Sequence, residues 1–182
     1  MKDLSMHIMD IAQNSTRANA TLVKISINEQ LSDDLLSIQI TDNGCGMDAE
    51  MVKKVSDPFF TSRTTRKVGL GIPLLMQNAE TTGGNVTIES EVGVGTTLVA
   101  NFKHTHIDRP PWGDIGSTIA LLITGNPDVD YSYSHQLDEK HFKLDSSEIK
   151  KELEGIPLHR PEVFHFIVEM INENLKEMKV DI

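Results

Sequence analysis

Cysteine is almost missing from this sequence. Cys45 stands alone among 182 residues, so no internal disulfide can staple the fold, and a reduced compartment is the expected setting. Positive charge is also short: 17 Lys and Arg face 27 Asp and Glu, a formal net charge of −10 with a pI near 5.1. A surface of that sign speaks against nucleic acid or an anionic membrane as the main partner, because both reward clustered cations. Long hydrophobic runs are lacking too. None approaches the roughly 20 apolar residues of a membrane-spanning helix, and the N-terminus has no apolar segment of the kind a secretion signal needs. There is no internal repeat and no low-complexity tract, so a cytoplasmic protein without membrane insertion is expected. What is present suits one ordinary domain, or a core domain with a small appendage, since 38% of residues are hydrophobic and can build a core.

The first stretch, "LSMHIMDIAQNSTRANA", places Leu4, Ile8, Ile11, Ala12 and Ser15 at three-and-four spacing, which predicts a helix with one buried face. "TLVKISINEQ" and "LLSIQITDNG" alternate with period two around a polar turn at residues 31–34, an antiparallel strand pair. "DAEMVKKV" is a short helix opened by Asp48, residues 57–68 have no period, and "GLGIPLLMQNAETTGG" is a helix stopped by Gly83 and Gly84. "NVTIESEVGVGTTLVANFKH" reads as a second hairpin turning at Gly93 and Gly95. This order predicts an α+β fold, a two-layer sandwich of mostly antiparallel sheet with helices on one face. Prolines, glycines and a lone Trp in "HTHIDRPPWGDIGS" mark a linker at residues 104–116. Residues 1–103 thus read as the main domain and 117–182 as a small ββαα module. Its expected strands are "TIALLITGN" and "YSYSHQLDEKHFKLD"; its last helix is amphipathic at Val163, Phe166, Ile167, Met170, Ile171 and Leu175.

Chemistry concentrates in residues 42–75, "DNGCGMDAEMVKKVSDPFFTSRTTRKVGLGIPLL". Glycines at a strand end and at a helix start let a ligand approach the backbone, and the free N–H groups of that helix favour phosphate. Thr61, Ser62, Arg63, Thr64, Thr65, Arg66 and Lys67 place donors and cations beside this terminus in an otherwise acidic chain. Asp42, an acceptor, suits an exocyclic amine such as that of adenine. On the first helix, Asp10, Asn14 and Arg17 share one side, and the Asn14 carbonyl oxygen suits a hard cation. Taken singly, these stretches also read as an ordinary turn, a helix start and a solvated helix face; their order and spacing point to a nucleotide. Cys45 reads as a small residue between packed glycines, and His104 with His106 predicts no structural zinc.

Over residues 4–103 the sequence resembles the gyrase, histidine-kinase and mismatch-repair ATPase superfamily, whose nucleotide site is the Bergerat fold. "DIAQNSTRANA" is similar to the N-box helix, "DNGCGM" to the first glycine box, "DPFFTSRTT" to the Phe-containing segment, "GLGIPLL" to the second glycine box, and "GGNVTIESEVGVGTTLVANF" to the closing strand pair. The last three resemble the histidine-kinase branch. The resemblance implies ATP and Mg2+ as cofactors, with Asn14 holding magnesium, Arg17 reaching the phosphates, Asp42 at the adenine amine, and Thr96 supporting Asp42. It further implies that Gly44, Gly46 and Met47 adjoin the base, and that residues 57–68 form an ATP lid carrying Phe60, Thr61, Arg63 and Lys67. Gly69, Leu70 and Gly71 would then face the phosphates. Asp10 stands where hydrolytic branches of the superfamily carry Glu and many histidine kinases Asn, which makes it the candidate catalytic residue. Only three residues precede Leu4, so no upstream phosphoacceptor hairpin is expected here. Transfer of the γ-phosphate to a separate acceptor protein is the function implied, with a slow ATPase switch or a non-catalytic ATP/ADP sensor as alternatives.

Overall fold

The computed structural model describes residues 2–57 and 70–182. Helix α1 (Leu4–Arg17) is capped by Asp3, whose carboxylate accepts from the Met6 N–H, and its buried face includes Leu4, Ile8, Ile11, Ala12 and Ser15 as the spacing predicts. Strands β1 (Leu22–Gln30) and β2 (Leu35–Asp42) pair antiparallel, Ile25 opposite Ile40. Helix α2 (Ala49–Val55) is capped by Asp48, and α3 spans Gly71–Thr81. β3 (Asn85–Glu91) and β4 (Gly95–Lys103) form the second hairpin, and β4 lies against β2. Then follow α4 (Ile115–Gly125), β5 (Asp130–Leu137), β6 (Lys140–Asp145), α5 (Ser146–Glu152) and α6 (Pro161–Met178). Among the described residues no helix is long and apolar enough to cross a membrane.

The six strands form one sheet in the order β3-β4-β2-β1-β5-β6, with β1 and β5 parallel and the other pairs antiparallel. Period-two alternation turns Val23, Ile25, Ile27, Leu36, Ile38, Ile40, Leu98 and Phe102 to the helical layer, while Lys24, Ser26, Gln39 and Thr87 stand exposed. This is the expected α+β sandwich.

Residues 117–125 differ from expectation: they are not a strand but the body of α4, capped by Asp114. Ile115, Ile119, Leu122 and Ile123 are all buried there, and a run apolar on nearly every side carries no period to tell helix from strand. Both strands of the expected ββαα order come instead from residues 130–145, which turn at Asp138, a residue at φ 50°. On α6, Phe166 is exposed while Val163, Ile167, Ile171 and Leu175 are buried. Within residues 104–116, expected as a linker, Trp112 is buried, and the Pro111 and Trp112 carbonyls accept from the N–H groups of Leu4 and Ser5.

A buried carboxylate ties these parts together. Glu29 of β1 accepts from His135 of β5 and from His104, each at 2.7 Å, and His135 Nδ1 pairs with the Tyr133 hydroxyl at 2.9 Å. Burial alone would push the Glu29 carboxyl up, but the imidazole donors outweigh it and hold the group below its ordinary value. Burial raises the Tyr133 hydroxyl far above its usual range, so it stays neutral.

Candidate functional site

The end of β2, the C-terminal half of α1, the loop after Asp42 and the β3-β4 pair enclose a cleft of about 320 Å³. Its walls are apolar: Ile11, Ile40, Met47, Val55, Ile72, Ile88 and Leu98. Its polar lining includes Asn14, Ser15, Arg17, Asp42 and Thr96, and a few polar groups in an apolar cleft orient a ligand more than they attract it. Of the residues singled out from sequence, Asn14, Arg17, Asp42, Gly46, Met47 and Thr96 line the cleft. Asp10, Gly44, Leu70 and Gly71 are outside this lining. Phe60, Thr61, Arg63, Lys67 and Gly69 lie outside the described residues, as does the expected lid beyond Asp57.

Asp42 ends β2 with both carboxylate oxygens engaged. Oδ1 accepts from the Gly44 N–H at 2.9 Å, and Oδ2 accepts from the Ser15 hydroxyl at 2.5 Å. Thr96 is the ladder partner of Asp42 across β4, yet its hydroxyl pairs with Ser90 at 2.8 Å rather than with the carboxylate. Ser90 in turn accepts from the Met47 N–H at 2.8 Å, so the loop after Asp42 hangs on the β3-β4 hairpin. The Cys45 N–H donates to the Ala18 carbonyl, and the Gly93 N–H to the Cys45 carbonyl, both at 2.8 Å.

Sequence reasoning missed Ser15 and Ser90. Spacing alone assigns Ser15 to the apolar face of α1; the signal it does carry is that a hydroxyl on a buried face needs a partner.

Two of the glycines are also required by close packing within the protein. Gly46 sits at φ 68°, and a Cβ there would run into the Glu91 carbonyl; a Cβ at Gly71 would run into the Asp10 carboxylate. At these positions protein atoms leave no room for a side chain. Asp10 therefore rests on the first turn of α3, its Oδ2 buried with no hydrogen-bond partner among the described residues. The Asn14 carbonyl oxygen accepts from Arg17 at 3.0 Å. Asp10 and Asn14 stand one turn apart on α1, and a carboxylate oxygen without a donor among the described residues and an amide oxygen are the kinds of hard donor that a magnesium ion takes.

Residues 2–106 match the family of histidine kinase-, DNA gyrase B-, and HSP90-like ATPases. The chain belongs to this family. The matched residues include all those that line the cleft. The histidine-protein kinase AtoS of Escherichia coli (strain K12) is 36% identical over 96 residues, 52% of this chain and 16% of that kinase. A probable C4-dicarboxylate sensor kinase of Bacillus subtilis (strain 168) is 34% identical over 75 residues, 41% of this chain and 14% of that protein. The similarity thus spans only 16% and 14% of the two kinases' lengths. Among solved structures, the ADP-bound MutL ATPase domain of Aquifex aeolicus aligns with TM-score 0.50 at 18% identity, over 85% of this chain and 68% of that one. The N-terminal domain of a DNA repair protein aligns with TM-score 0.57 at 16% identity, over 79% of this chain and 52% of that chain. At such identities the likeness is one of fold. The six-stranded sheet with its helical layer is the fold of this ATPase family.

Proposed function

We propose that this ATPase-family protein binds Mg-ATP in the cleft and passes the γ-phosphoryl group to a separate acceptor protein. The observation that carries the reading is the Asp42 carboxylate held in an apolar cleft that Asn14 and Arg17 also line. The apolar walls suit a planar base, Asp42 suits its amine, and the α1 polar side suits the phosphates. Asn14, with Asp10, would hold magnesium, which supplies charge neutralisation at the phosphates when bound. Arg17 is the phosphate contact on α1, and Arg63 and Lys67 are proposed as further ones on composition alone.

In the transfer, the nucleophilic atom of the acceptor gives an electron pair to the γ-phosphorus. The bond from that phosphorus to the bridging oxygen breaks, and ADP leaves with the pair. A neutral imidazole acceptor brings its own lone pair; a hydroxyl or water must lose a proton and gains from a base. The kinase relatives support a protein acceptor. A second reading, slow hydrolysis, draws on Asp10, a carboxylate whose Oδ2 has no donor among the described residues and which would take the proton of a water admitted beside it.

Incubation with γ-labelled ATP, with and without an extract of the source cells, separates these readings when quenched in detergent at neutral pH. Label on an extract protein that requires this chain supports transfer. Free phosphate alone favours hydrolysis. Calorimetry on Asp42→Asn tests the site itself: it places a donor against the amine, and ATP affinity should fall by about 1–3 kcal/mol. Unchanged affinity would overturn the site.

A further inference from the structure

We propose that Ser15 is a positioning residue for adenine recognition, fixing the Asp42 carboxylate in the orientation that accepts the exocyclic amine; this rests on the reading of Asp42 given above. Ser15 is 3% exposed on the inner face of α1, where a hydroxyl has lost its water and needs a protein partner. Two acceptors lie within reach. The Ile11 carbonyl is 3.5 Å away, and Asp42 Oδ2 is 2.5 Å away. One hydroxyl carries one proton, and the shorter contact has the length of a charge-assisted O–H···O⁻ bond, so Ser15 donates to Asp42 and not to its own helix.

The other carboxylate oxygen accepts from the Gly44 N–H at 2.9 Å. Donors from two separate elements, α1 and the loop after β2, therefore engage one oxygen each and set the plane of the carboxylate. Each oxygen keeps a further lone pair, and Asp42 lines the cleft. An acceptor fixed before the ligand arrives surrenders little freedom on binding. Alanine at position 15 would remove only the hydroxyl, at a position where helix propensity favours it. The loss should then fall on recognition of the amine and spare the rest of the nucleotide.

The test is a cycle of four titrations: the parent and Ser15→Ala, each with ATP and with purine riboside triphosphate, which has hydrogen in place of the amine. Thermal unfolding of both proteins accompanies it. ATP affinity should fall about tenfold in Ser15→Ala, the scale of one hydrogen bond to a charged group. Affinity for purine riboside triphosphate should stay within about twofold, as expected for a group that does not couple to the rest of the ligand. Equal loss of both nucleotides, a collapsed Tm, or an ATP preference kept intact in Ser15→Ala would each overturn the role of Ser15. A parent that binds the two nucleotides equally would overturn the role of Asp42 at the amine, and the positioning of that carboxylate with it.

Discussion

Asp10 divides the readings of this site, and its surroundings make the division measurable. If it takes a proton from water, Asp10→Asn should leave ATP binding nearly intact and lower hydrolysis by roughly 10²–10⁴-fold at saturating Mg-ATP. Gly71→Ala offers the same result by another route, since its Cβ would displace the Asp10 carboxylate without removing its charge. Hydrolysis by Asp10→Asn within a few-fold of the parent would leave Asp10 a magnesium-side group and favour transfer to a partner. Much of the cleft was legible in the sequence because it is written in residue types with few alternatives: a strand-end Asp before spaced glycines, and an Asn on a helix one turn after an Asp. Ser15 was not, because spacing alone reports only that a position faces inward. It cannot report that a carboxylate 27 residues further along reaches the same place.

The elements show the same limit at larger scale. Strands β1 to β4 and helices α1 and α2 were readable because alternation and caps agreed, and α3, which has no side-chain cap, because glycines bound it at both ends. Helix α4 was not, since seven of its eleven residues are buried and a segment apolar on most sides has lost its period. The Glu29 cluster was equally invisible, built from three segments far apart in the chain. It carries a pH dependence. A carboxyl held below its ordinary value of 4.5 stabilises the fold above that pH, and the contribution is lost as pH falls through the lower folded value. Chemical unfolding of the parent should thus weaken below about pH 4.5 more steeply than that of Glu29→Gln. Parallel curves for the two proteins in that range would show that the cluster does not titrate with unfolding.

For the whole molecule, one sheet carries both the cleft and the C-terminal strands. β1 pairs with β2 on one side and β5 on the other, Glu29 needs both His104 and His135, and Trp112 is buried against the His135 ring, their centroids 5.3 Å apart. A fragment ending at Lys103 should therefore lose the sharp, cooperative thermal transition of the full chain, which calorimetry on the two proteins would reveal. A fragment melting as one sharp transition near the parent's Tm would show that residues 1–103 stand alone. The parallel pairing of Leu22 with Asp130 also sets an order in time. A chain leaving the ribosome at about 5–20 residues per second presents β1 roughly 5–20 seconds before the strand that covers its second edge. During that interval the nascent protein carries an open, apolar-backed strand edge, the kind of surface that chaperones hold and that neighbouring chains on a polysome can pair with.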